Sequence, residues 1–147
     1  MANSIRERIL QAAVKRIAAA VDALNAEVHR SPTVALTREQ APALVLFPES
    51  DEVTDRPNDR VEHQLIVRLV ALSRGTVPTP SETEADALLV AAHGALMGET
   101  SLGGLALGIA EIDCEWEVED ADSTVAAIPA RYAIRYRTLQ HDLTQKG

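Results

Sequence analysis

From Leu105 to Thr138 the chain reads LALGIAEIDCEWEVEDADSTVAAIPARYAIRYRT, and taken at every second residue it divides into two unlike sets. Successive side chains of an extended chain point to opposite faces, so a period of two marks strands with one buried side. The even positions are Ile112, Cys114, Trp116 and Val118, then Ile128, Ala130, Tyr132, Ile134 and Tyr136, an apolar face that holds the only Trp and both Tyr. The odd positions are Glu111, Asp113, Glu115, Glu117 and Glu119 on one strand, against Arg131, Arg135 and Arg137 on the other. Antiparallel pairing would set acid across from base. The pattern predicts a hairpin at the centre of one sheet, with one wet face. Cys114, the single cysteine, is expected inward as a small core residue rather than a nucleophile.

Elsewhere the periods alternate between those of helix and strand. Ser4 and Glu7 have capping-box spacing, and Ile5, Ile9, Ala13, Ile17, Ala20 and Leu24 recur at three and four, which predicts a helix packed across a sheet. EVHRSPT, residues 27–33, reads as a short edge strand ended by Pro32. Ala43 to Phe47, between Pro42 and Pro48, reads as an apolar strand. Residues 49–59 are the most polar stretch and read as a mobile acidic loop. From Arg60 to Ser73, Val61, His63, Leu65, Val67, Leu69 and Ala71 share one face, and the second half is apolar on both sides, so this strand should be central. Thr79-Pro-Ser-Glu82 repeats the capping-box spacing ahead of a second helix with stripe Ala85, Leu88, Leu89, Ala92 and Leu96, stopping near Gly98. Residues 139–147 read as a frayed tail. The fold class is therefore α+β, a mostly antiparallel sheet of four to five strands with two helices packed on it, in a single domain over residues 1–147.

Several chemistries find no footing. The opening MANSIRERIL carries Arg6, Glu7 and Arg8 where an export signal would need an apolar run, so no secretory peptide is expected. The longest uncharged stretch, Ala87 to Gly98, is too short for a bilayer. The formal charge of −8 and scattered basic residues give no positive patch for a nucleic-acid backbone. Leu102-Gly-Gly-Leu105 is not a phosphate-cradling loop. The four His residues, 29, 63, 93 and 141, have no metal-ligand spacing, and Asp51, Asp55 and Asp59 do not match a calcium loop. No catalytic residue, cofactor or metal is expected. Arg neighbours would keep the acidic row ionised, which suits an assembly interface better than acid–base catalysis.

In this layout the stretch ALVLFPESDE and the ending RYAIRYRT are similar to segments of the tail terminator proteins of long-tailed bacteriophages, related to the minor tail protein of lambda-like phages. The likeness covers nearly the whole chain in order of elements. The resemblance implies a structural subunit, not an enzyme, that forms a hexameric ring on the end of the tail tube, stops tube polymerisation and offers a surface for head attachment. Its implied partners are further copies of itself, the tail tube protein and a head–tail connector protein, without sequence-specific nucleic-acid binding and without a membrane. DNA would pass through the ring. Assembly would occur in the host bacterial cytoplasm and the product would be part of the virion tail.

The candidate interface residues on this reading are Asp51, Glu52, Asp55, Arg56 and Asp59 of the acidic stretch, with Glu111, Asp113, Glu115, Glu117, Arg131, Arg135 and Arg137 of the two charged rows. An intramolecular ladder is the competing account of those rows. Two other functions stay open, another head–tail joining (neck or completion) protein, and a small-molecule-binding domain using a pocket between the second helix and the sheet.

Overall fold

The computed structural model describes residues 2–32, 42–74, 81–115, 117–118 and 126–147. Two helices, α1 (Ile5–Val21) and α2 (Ser81–Met97), accompany seven strands among the described residues: β1 (Glu27–Arg30), β2 (Ala43–Asp55), β3 (Arg60–Ser73), β4 (Gly108–Cys114), β5 (Glu117–Val118), β6 (Ala126–Leu139) and β7 (Asp142–Lys146). The main path of the sheet is β1-β2-β3-β6-β4, and β5 and β7 also pair with β6. The chain is α+β, as expected. The sheet, however, has more strands than the four to five expected, and it is mixed. β1 runs parallel to β2, while the remaining pairs are antiparallel. A parallel return needs a crossover of about a dozen residues rather than a tight turn, and residues 31–42 supply that length.

α1 starts where its capping signal lies. The Ser4 hydroxyl accepts the Glu7 N–H at 3.1 Å. The reciprocal half of the box does not form, because the Glu7 carboxylate accepts hydrogen bonds from both terminal guanidinium nitrogens of Arg30 on β1 instead. The helix runs into a 3₁₀ turn, Asp22–Leu24, closed by Asn25 at φ 55. Ile5, Ile9, Ala13, Ile17 and Val21 of α1 and Ala85, Leu88, Ala92 and Leu96 of α2 are buried against one face of the sheet. That face presents Leu44 and Leu46 of β2, Leu65, Val67, Leu69 and Ala71 of β3, and Ile128, Ala130, Tyr132, Ile134 and Tyr136 of β6. The period-two readings of β3 and β6 thus hold. α2 ends at Met97, where the Gly98 N–H meets the Gly94 carbonyl at 2.9 Å. Thr79 and Pro80, the first part of its predicted cap, lie outside the described residues, as do Thr33, Trp116 and Glu119.

Three expectations are corrected. Residues 49–59 are not a loop, since β2 continues through Asp55 and a turn with Asn58 at φ 57 leads into β3. β1 accompanies β2 from Ala43 to Leu46, so Pro48 sits where the outer side of the strand has no paired neighbour among the described residues to receive an N–H. The tail is not frayed: Asp142 accepts the Thr144 N–H at 2.9 Å and hydroxyl at 2.6 Å, and β7 returns along β6. Finally, β6 is central but its partner β4 is an outer strand whose register shifts between Glu111 and Asp113. The shift breaks the alternation that a regular strand would keep. Ile112 is 40% exposed and Cys114 is exposed, not a core residue.

Candidate interaction surface

The sheet face turned away from α1 and α2 carries the charged rows. Opposite Arg131 of β6 stands Asp113 of β4, and the guanidinium donates through Nε at 2.9 Å and through a terminal nitrogen at 2.6 Å. This two-pronged contact holds the Asp113 carboxyl below its usual range and pushes Arg131 up. Glu49 of β2 approaches the same guanidinium at 3.9 Å. Arg137 does not join the acidic strand. It donates to Glu62 of β3 at 3.2 Å. Arg135 lies between Gln64 of β3 and Gly108 of β4 in the register and is exposed. On the same face the Arg68 guanidinium lies 5.6 Å from the centre of the Phe47 ring. Glu49, Arg68, Asp113, Glu115, Pro129 and Arg131 surround an open, polar cavity of about 340 Å³. Arg131 is paired with Asp113 and approached by Glu49, so the cavity offers a charged surface rather than a deep apolar pocket.

The predicted residues therefore separate. Asp113 and Arg131 come together as expected, and Glu115 is exposed beside them. Glu111 faces Tyr132 in the register and lies 3.7 Å from His93 of α2. Glu52, Asp55, Arg56 and Asp59 are exposed at the far end of the β2–β3 pair, where Asp55 accepts the Arg56 N–H at 2.8 Å. Glu117 lies in β5 beside Ala127, and its side chain is outside the described residues.

Asp51 goes elsewhere. A register shift between Pro48 and Ser50 turns it toward the helix-covered face, opposite Leu65. There its carboxylate accepts the Tyr136 hydroxyl and, at 3.1 Å, a guanidinium nitrogen of Arg6 from α1. The His63 ring stacks on Tyr136 with centroids 4.6 Å apart, brings Nδ1 to 3.4 Å from Asp51, and sets Nε2 3.0 Å from the Thr138 hydroxyl. Burial first, and then the bond to Asp51, push the Tyr136 hydroxyl well above the ordinary phenol range. An acid, an imidazole and a hydroxyl in line suggest nucleophilic catalysis, but Thr138 is 1% exposed. The cluster acts as a polar brace tying α1, β2, β3 and β6 together. No one-dimensional signal joins residues so far apart in the chain. The only hint was polar His63 within an apolar face.

A smaller polar contact braces α2. His93 Nδ1 lies 2.8 Å from the Tyr132 hydroxyl, whose proton is held up to about 12, chiefly by burial. Among the described residues, no group of three or more His, Cys, Asp and Glu could hold a metal ion. No helix of the described residues is long and apolar enough to cross a membrane.

No family profile matches the chain, and no curated protein matches it. A comparison of structures finds similarity to a chain of the virion of a native gene transfer agent particle. The two are 18% identical with a TM-score of 0.49, over 86% of this chain and 92% of that one.

Proposed function

We propose that the chain is a structural subunit of a phage-type tail, a tail terminator that assembles into a hexameric ring on the end of the tail tube, stops its growth and presents a surface for head attachment. The observation that carries this reading is the unequal dressing of the sheet. Both helices lie on one face, while the other presents partly exposed Phe47, Ile66, Val70 and Leu72 framed by the paired charges of Arg131, Asp113, Glu49 and Glu62. Such a surface, apolar at the centre and polar at the rim, is built for contact with another protein. The sequence likeness of ALVLFPESDE and RYAIRYRT to tail terminators supplies the particular assembly. The partners on this reading are further copies of the chain, the tube protein and a head–tail connector protein, with DNA passing through an acidic ring. The subunit would be made in the host bacterial cytoplasm and end in the virion tail.

Light scattering after size exclusion, over a wide concentration range, tests the ring, and electron microscopy of polymerising tail tubes tests the capping. The expected results are a mass near six subunits and tubes that stop growing when the protein is added. Tubes that elongate unchanged at saturating protein would refute the terminator reading.

A further inference from the structure

The exposed side of α1 and the α2–β4 end of the molecule carry opposite charge. β1 and β4 are the end strands of the main sheet path. α1 is tied to β1 through the Glu7–Arg30 pair and to the α2 side through Arg16, which donates to the Ala95 carbonyl and to Glu99, while α2 approaches β4 through His93 and Glu111. On the exposed side of α1, Arg8 and Lys15 are seven residues apart, hence on one helix face, and neither has an ion pair among the described residues. Ala18 and Ala19 follow, exposed and small. The β4 end is the complement. Asp86 of α2, Glu111 and Glu115 are exposed there, and Glu111, Asp113 and Asp86 lie close enough to Cys114 to add to the upward push that burial gives its thiol.

Between those acids the β4 end is apolar. Val90 of α2 is 65% exposed and Ile112 of β4 is 40% exposed. From Ala87 to Gly98 the helix carries no Asp, Glu, Lys or Arg, so its outer side lacks the charged dressing of a solvated helix. A methyl group added at Gly94 would meet nothing within 4 Å. Glycine within a helix costs roughly 1 kcal/mol relative to alanine, and here no intramolecular contact accounts for it. The outer strand β4 adds a backbone edge that, among the described residues, is paired on one side only.

We propose that this α2–β4 end of one subunit docks on the exposed side of α1 of a second copy, acids against Arg8 and Lys15 and Val90 against the alanines. The inference rests on the ring-subunit reading and names the surfaces that would build it. Two unlike surfaces on one chain give a head-to-tail contact, which closes into a ring when the rotation between copies permits. Like charges exclude the alternative of two α2–β4 ends meeting.

The native thiol supplies the test. The full chain carrying Lys15→Cys, beside Cys114, is treated with a short bis-maleimide and separated under denaturing conditions. A ladder extending beyond dimers is expected, whereas the unmodified chain, with Cys114 alone, should remain monomeric. In parallel, Asp86→Lys with Glu111→Lys, and separately Arg8→Glu with Lys15→Glu, should each weaken self-association by about tenfold or more, and mixing the two variants should restore it. Every variant must first keep the wild-type melting temperature, and the cross-linking arm tests the contact without charge reversal. Dimers from Cys114 alone, with no ladder from Lys15→Cys, would overturn the head-to-tail contact in favour of a two-fold one. A ring-sized mass with neither ladder nor charge effect would overturn these surfaces and leave the ring standing. A monomer under all conditions, without any ladder, would overturn both.

Discussion

Replacing Tyr136 by Phe removes one oxygen from the buried polar brace and leaves the ring that stacks on His63. Tyr136 is 2% exposed, and its hydroxyl donates to an Asp51 carboxylate that is itself 11% exposed. In the variant that carboxylate keeps one guanidinium nitrogen of Arg6, a side chain 46% exposed, and the His63 ring at 3.4 Å. A hydrogen bond to a charged group contributes about 1.5–3 kcal/mol, so a loss of about 2 kcal/mol is expected. For a chain of this size that lowers the melting temperature by roughly 4–8 °C. Urea unfolding followed by tryptophan fluorescence should show a lower midpoint with an unchanged slope. There is a pH signature as well. The folded state holds the Tyr136 and Tyr132 protons above the ordinary phenol value of about 10. Above that pH the unfolded chain binds fewer protons than the folded one, so the stabilisation is complete below about pH 10 and is lost as the pH climbs. Tyr136→Phe removes one of the two groups and should flatten the alkaline decline. A variant within about 0.5 kcal/mol of wild type at neutral pH would refute the brace, because changes that small belong to surface sites.

Further outcomes follow from the caps, the acid limb and the thiol. Ser4→Ala should destabilise by about 1 kcal/mol in urea melts, and Ser4→Asp should restore most of it, since only the cap acceptor differs. The bonds to Arg30 hold the Glu7 carboxyl below its usual value, a stabilisation present above about pH 4.3 and lost as the pH falls further. Arg30→Ala should therefore flatten the acid limb of the stability profile, and an unchanged limb would remove that pair from the account. Cys114 should react fully with a thiol reagent in the native state. Partial burial first, then Glu111, Asp113 and Asp86, push its thiol up, so the rate should keep rising with pH beyond the ordinary thiol value of about 8.5. A protected thiol would return Cys114 to the core.

How legible this was depended on the range of the interaction. Ser4, the stripe of α1 as far as Ile17, the stripe of α2 and the inward rows of β3 and β6 follow from spacing within a few residues and were readable, whereas Leu24, assigned to the α1 stripe, lies beyond the helix in the 3₁₀ turn and is 41% exposed. Residues 49–55 were read as a loop because composition cannot distinguish a polar loop from a strand wet on most of its surface. The structure gives them to β2, with Asp51 turned in by the register shift at Pro48 to Ser50. Ile112 was assigned inward by a period that the shift in β4 interrupts, whereas Cys114 stands opposite inward-facing Ala130 and is exposed because β4 is an outer strand. The charged rows were seen, but not who pairs with whom. Arg137 meets Glu62 because β3, not β4, accompanies that end of β6.

The sequence by itself determined the α+β class, the two helices, the central strands and their buried faces, because a period of 3.6 or 2 is a property of neighbouring residues. Strand order, the parallel β1–β2 pair, the shifts that re-aim Asp51 and set Glu111 and Asp113 on opposite faces, and the meeting of Arg6, Asp51, His63, Tyr136 and Thr138 were decided only by tertiary structure. Those contacts join residues far apart in the chain, and they are chosen by the competition among all segments for one core rather than by any segment alone.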